Sequence, residues 1–147
     1  MIRDQVTLLS GDRSSAVLAT LAADFPGSAA VVDDSEQEVP AEMPVQRVAY
    51  NHASGPSAEN VVIPADRIVA IVFTSGSTGR PIAHAKSWGS LVERSIAAGR
   101  QFGLSEVAPA TVVGTVPPQH MYGFETTVLL PLHAPASSWC GPTFFPE

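Results

Sequence analysis

Lysine and cysteine are almost missing from this chain: its 147 residues hold one of each, Lys86 and Cys140. A single cysteine excludes an intrachain disulfide and a zinc site built from several thiolates. Basic residues number 8 against 14 acidic ones, for a net charge of −6. That leaves little cationic surface to displace counterions from a nucleic-acid backbone, so nucleic acid is excluded as the main partner. No apolar run is long enough for a membrane span, and the apolar stretch after Arg3 and Asp4 is too short for a signal peptide. Aromatic residues are only 7% of the chain, yet 45% is apolar and 15% charged, which excludes disorder throughout. What these absences leave is a soluble, mildly acidic, cytoplasmic domain long enough to bury a core.

The chain opens as strand, helix, strand. Residues 6–9 are a short apolar strand closed by Ser10-Gly11-Asp12. With Asp12 as N-cap, residues 13–24 follow as a helix, because Val17, Leu18, Leu21, Ala22 and Phe25 recur at helical spacing. Pro26-Gly27 stops it, and residues 29–32 read as a buried strand. From 33 to 64, acidic residues, prolines and an Asn-His-Ala-Ser-Gly-Pro-Ser tract dominate; this reads as a solvated connector with one strand candidate at 45–50. Asp33 and Asp34 belong to it as a solvated turn.

The strongest strand is 68–73, a continuous Ile-Val-Ala-Ile-Val-Phe run of the kind expected at the centre of a sheet, buried on both faces. Residues 82–86 can extend as a short strand. A helix follows from 88 or 91 to 102, with Ser90 and Glu93 as a capping box, Leu91, Val92, Ile96 and Phe102 as its apolar side, and Gly103 just past its end. Residues 111–116 are another buried strand, stopped by Pro117-Pro118. Residues 119–123 form a loop, and 124–132 an apolar helix limited by Pro131 and Pro135. Residues 139–145 have strand character. The expected architecture is α/β, a mostly parallel sheet flanked by helices, in three stretches: 1–32, 33–64 and 65–147. A folded domain rarely stops on two adjacent phenylalanines, so Phe144 and Phe145 either dock on the core or mark a chain cut inside a larger domain.

The central strand runs straight into Thr74-Ser75-Gly76-Ser77-Thr78-Gly79-Arg80-Pro81. A buried strand ending in such a loop can hold phosphate: Thr74, Ser75, Ser77 and Thr78 offer hydroxyl donors, while Gly76 and Gly79 let backbone N–H groups approach an anion. The P-loop pattern and the dinucleotide fingerprint are both absent. On loop chemistry alone a flexible turn is the better account.

The run from Phe73 to Pro81 resembles the phosphate-loop signature of adenylate-forming enzymes: acyl- and aryl-CoA synthetases, peptide-synthetase adenylation domains and luciferases. A second stretch, Val116-Pro117-Pro118-Gln119-His120-Met121-Tyr122-Gly123-Phe124-Glu125, is similar to the family segment in which an aromatic or histidine lines the acyl pocket. The resemblance spans residues 64–132. It implies that Thr74, Ser75, Gly76, Ser77, Thr78 and Gly79 hold the β- and γ-phosphates of ATP, and that His120 and Tyr122 line the substrate pocket. It also implies a carboxylic acid substrate, a thiol acceptor (CoA or a carrier protein) and Mg²⁺ in the intact protein. Where the family usually carries lysine after the proline, this chain has Ile82. Lys86 is the replacement candidate, but in an extended 82–86 segment it sits about 13 Å further along, beyond a lysine's reach without a bend. His84, between them on the same face, reads as a surface histidine able to donate when protonated.

The family's adenine, ribose and catalytic-lysine elements have no counterpart in these residues, which suggests a ligase fragment inactive alone. The alternatives are a catalytically dead nucleotide- or protein-binding module, and a small flavodoxin-like fold with an incidental loop. A fragment would expose an apolar face, so a homodimer burying Phe144, Phe145 or the helix carrying Phe124 is expected. His52 and His133 lack partners at metal-ligand spacing and read as structural or surface residues; Cys140 reads as a small buried hydrophobe.

Overall fold

The computed structural model describes residues 5–32, 38–48, 61–74, 82–104 and 110–139. In chain order the elements are β1 (Thr7–Ser10), α1 (Ser15–Asp24), β2 (Ala30–Val32), β3 (Val45–Arg47), β4 (Ile68–Thr74), β5 (Ile82–Ser87), α2 (Trp88–Gln101), β6 (Ala110–Val112), α3 (Met121–Gly123), a π-helical segment (Phe124–Leu129), α4 (Leu130–His133) and β7 (Ala136–Ser138). They divide into two compact units: Met1–Gly11 with Val62–Glu147, and Asp12–Val61.

In the larger unit the β-branched run makes β4, the central strand of a sheet ordered β1–β4–β5. β1 pairs parallel to it, Thr7 opposite Ala70 through Ser10 opposite Phe73. β5 pairs antiparallel, with a bulge between Ile68 and Ala70. Ala70 and Val72 are buried while Val69, Ile71 and Phe73 are half-buried, so one face of the strand is core and the other is only partly covered. This corrects the expectation of burial on both faces. The core joins Leu9, Ala70, Val72, Leu91 and Leu129, with Val69, Trp88, Met121 and Phe124 packed against it. Each fully buried leucine contributes about 1.5–3 kcal/mol.

Helix α2 starts where β5 ends. Its N-cap is Ser87, whose hydroxyl accepts from the Ser90 N–H, so the cap lies three residues before the expected Ser90. The Trp88 and Gly89 N–H groups donate to the carbonyls of Arg67 and Ala65. The buried stripe of α2 is Leu91, Ser95 and Gly99, one residue per turn. Ile96 and Phe102, expected on the buried side, are exposed. The small side chains let the following helical run approach closely: Ser95 Oγ donates to the Leu129 carbonyl at 2.9 Å, and a Cβ on Gly99 would stand 3.0 Å from Ala134 Cβ. The end of α2 is as expected. Gly103 has φ +68°, its N–H donates to Arg100 and that of Leu104 to Gly99, which is a Schellman closure.

The helix expected at 124–132 begins earlier, at Met121, and is widened over Phe124–Leu129. Three local features favour the widening. The Thr126 and Thr127 hydroxyls donate back to Tyr122 and Gly123 carbonyls, which bends helices. The Leu130 N–H donates five residues back to Glu125. Pro131 has no N–H for the Thr127 carbonyl, which instead accepts from the Ser138 hydroxyl. That bond ties β7 to the helical run. β6 and β7 pair in parallel as a separate two-stranded sheet, Ala110 opposite Ala136. β6 ends short of the expected 116. Gly114 lies so close to Thr127 that a Cβ there would stand 2.7 Å from its methyl. β7 was not anticipated, and most of the strand expected at 139–145 lies outside the described residues.

In the smaller unit, α1 has Ser14 as N-cap; Asp12, the expected cap, accepts from the Ser14 N–H at 2.9 Å. That bond holds the Asp12 carboxyl below its ordinary value. β2 and β3 pair in parallel, Ala30 opposite Val45. Among the described residues three ladders are parallel and one antiparallel, and the α/β class stands, in small sheets rather than one.

Two outcomes follow. Leu91→Ala removes a core side chain that is 1% exposed, and urea unfolding is expected to show a loss of about 2–5 kcal/mol. Because folding lowers the Asp12 value, its bond supports the fold above the unfolded aspartate range and fades as pH falls through the lower folded value. Asp12→Asn is therefore expected to flatten the acid limb of a pH–stability curve between about pH 5 and 3, a small effect at an exposed position.

Candidate functional site

Thr74, the last residue of β4, opens the Gly/Ser/Thr loop, and Ile82, the first residue of β5, closes it directly opposite. The loop is thus the connection of an antiparallel hairpin. Ser75, Gly76, Ser77, Thr78 and Gly79 lie outside the described residues. The hairpin sets this loop apart from a strand–loop–helix phosphate site, because β5 stands between the loop and α2. The first N–H groups of α2 are also committed, to Arg67, Ala65 and the Ser87 hydroxyl. Any anion held here must take its donors from the loop and its base, not from a helix N-terminus.

Facing residues of the ladder share one side of the sheet. Thr74 faces Ile82, Val72 faces His84, and Ala70 faces Lys86. Ile82 is 54% exposed and carries no charge. Lys86, half-buried, lies level with Ala70, four residues or about 13 Å back from the loop. The ladder therefore keeps 82–86 extended over the stretch where the lysine would need a bend. His84, which sequence reasoning left as a surface histidine, has its Nε2 3.2 Å from the Thr74 hydroxyl. The two are ten residues apart in the chain and adjacent only through the register.

The second motif reaches the same edge. The parallel ladder of β1 and β4 ends at Ser10 opposite Phe73, and the C-terminal edge of parallel strands is where α/β sheets place ligands. Gly11 follows β1, and the His120 imidazole is packed so closely on it that a Cβ would overlap the ring. Gly123 is held equally tightly under the Val116 and Pro117 carbonyls, and the His120 N–H donates to Pro117. So two glycines without side chains fix the Pro-Pro turn and its histidine beside the sheet's C-terminal edge.

Tyr122 has different neighbours. It is 61% exposed and lines a groove of about 230 Å³ with Phe102, Leu104, Val112, Thr126 and Leu130. Glu125 pairs with Arg94 at 3.6 Å, a charge contact without a hydrogen bond. His133 Nδ1 lies 3.0 Å from the Leu129 carbonyl oxygen and its ring sits tilted against Trp88, centroids 5.7 Å apart, the structural one of the two readings expected of it. Of the surfaces expected to bury a homodimer, the helical run carrying Phe124 packs that phenylalanine against the core while Val128 and Leu132 are exposed, and Phe144 and Phe145 lie outside the described residues; nothing among the described residues supports a dimer. His52 and Cys140 also lie outside them. Among the described residues no group of three His, Cys, Asp or Glu could hold a metal ion. No described helix is long and apolar enough to cross a membrane.

No protein-family profile matches the chain. A curated 4-coumarate–CoA ligase of Rhodobacter capsulatus is 37% identical over 62 residues, 42% of this chain and 16% of that protein. Among solved structures, VinN in complex with 3-methylaspartate superposes with a TM-score of 0.62 at 17% identity, over 85% of this chain and 37% of that one. The N-terminal domain of FACL13 from Mycobacterium tuberculosis, bound to an inhibitor, gives 0.60 at 14% identity, over 97% and 45%. ATP-bound MatB from Rhodopseudomonas palustris gives 0.55 at 14%, over 97% and 43%. The chain spans less than half the length of each of these proteins. The chain thus has sequence likeness to a CoA ligase over 62 residues and a fold shared with part of each of these solved structures.

Proposed function

We propose that this chain is the phosphate-binding part of an ATP-dependent ligase that activates a carboxylic acid as its acyl-adenylate. In such a reaction the carboxylate oxygen bonds to the α-phosphorus and the α–β bridging bond breaks, releasing pyrophosphate. The thiolate of CoA or of a carrier protein then bonds to the acyl carbon and AMP leaves. Both co-substrates fit a cytoplasmic enzyme. The chemical demand on this part of the protein is charge stabilisation on the departing pyrophosphate by donors set in place beforehand.

The observation that supports this reading is where the chain leaves β4, at Thr74. That point is the C-terminal end of β4, beside the end of parallel β1, and His120 is packed against that same edge through Gly11. In this reading the Thr74, Ser75, Ser77 and Thr78 hydroxyls and the Gly76 and Gly79 amides hold the β- and γ-phosphates. His120 borders the approach of the acid, and the groove beside Tyr122 offers apolar surface to its remainder. Lys86, level with Ala70, serves at most through long-range charge.

Ile82 favours a second reading, a binding module that has lost the reaction, because an uncharged side chain closes the loop where the family usually carries lysine. Titration of the 147-residue chain with ATP and with pyrophosphate tests the first claim. Amide shifts in nuclear magnetic resonance spectra are expected at residues 74–81, at about millimolar ligand. Ser75→Ala and Ser77→Ala are each expected to weaken binding by about 3- to 10-fold. Shifts confined to other segments, or none, would overturn the phosphate reading. ATP–pyrophosphate exchange by a longer form of the protein, dependent on a carboxylic acid, decides between ligase and module.

A further inference from the structure

His84 is not among the loop residues singled out from sequence, yet it is the side chain that touches the loop's first residue. Its Nε2 lies 3.2 Å from Thr74 Oγ1. The contact is a diagonal one across the hairpin: Thr74 faces Ile82 and Val72 faces His84, so the imidazole leans one pair forward to reach the hydroxyl. Both residues are exposed, so the core does not need this contact. Two other side chains of β5 share its face. Ile82 has no donor, and Lys86 lies at the far end, level with Ala70.

The bond has two forms, set by the tautomer. With the ring proton on Nδ1, Nε2 accepts from the Thr74 O–H, and the hydroxyl proton is committed to the ring. With the proton on Nε2, the ring donates to Oγ1, and the hydroxyl proton turns outward to another acceptor. A polyphosphate oxygen at the mouth of the loop is such an acceptor and would select the second form. Resting on the phosphate reading given above, we propose that His84 positions the Thr74 hydroxyl as a donor to polyphosphate, at the loop base that Ile82 leaves without a donor. His84 acts through Thr74 and is a positioning residue.

The test uses inorganic pyrophosphate and the whole chain. His84→Ala and Thr74→Val are each expected to weaken pyrophosphate binding by about tenfold, and the double variant by no more than either alone. His84→Gln, whose side-chain N–H₂ can still donate to Oγ1, is expected to stay within about threefold of the parent. Melting temperatures should change little, since both positions are exposed. In the parent protein, the ¹⁵N signal of His84 Nε2 should move towards the N–H form as pyrophosphate is added, a readout independent of how any variant folds. Parent-level binding by His84→Ala, loss in His84→Gln equal to that in His84→Ala, or an unmoved Nε2 signal would overturn the inference and leave the phosphate reading intact. A parent protein that binds no pyrophosphate would overturn both.

Discussion

Strand β4 makes two kinds of ladder at once. One edge is parallel to β1 and the other antiparallel to β5, while Ala70 and Val72 face Leu91 and Leu129. The parallel edge brings Phe73 level with Ser10 and sets Gly11, with His120 on it, beside the end of the strand. The antiparallel edge aligns β5 on β4 and returns the chain to Ser87, the cap of α2. Both motifs thereby depend on one seven-residue strand, whose continuous apolar composition keeps it at the centre of its sheet.

The central strand, the helix ended by Gly103 and the α/β class were legible in the sequence, largely through local causes. β-branched residues favour the pleat and glycine tolerates φ +68°, whereas the strand–helix–strand start does not pair its own strands: β1 lies beside β4 and β2 beside β3. Features that arise from pairing were not legible. The buried stripe of α2 runs through Ser95 and Gly99, which no count of apolar residues selects; they are inside because a second helical run needs close approach. β7 is Ala-Ser-Ser, without β propensity, and it forms through its ladder with β6 and the Ser138 bond to Thr127.

The candidate site divides in the same way. The residue types that could hold phosphate were visible from Thr74 onward as a motif. The contact of His84 with Thr74 was not, since it depends on which residues face each other across the hairpin. His120 and Tyr122, two residues apart in one motif, have separate surroundings: one ring on Gly11, the other in the groove beside β6. Their separation follows from the start of α3 between them, which turns consecutive side chains to different sides.

A hairpin couples the length of its loop to the alignment of its strands. Sliding β5 by one position against β4 would turn Ile82, His84 and Lys86 to the opposite face and change the span from Thr74 by one residue. Ser87 would be carried away from the start of α2 in the same movement, against the packing of Leu91. The helix cap thus acts as an anchor for the alignment of the hairpin: the buried leucine sets which side chains of β5 stand opposite Thr74 and Val72.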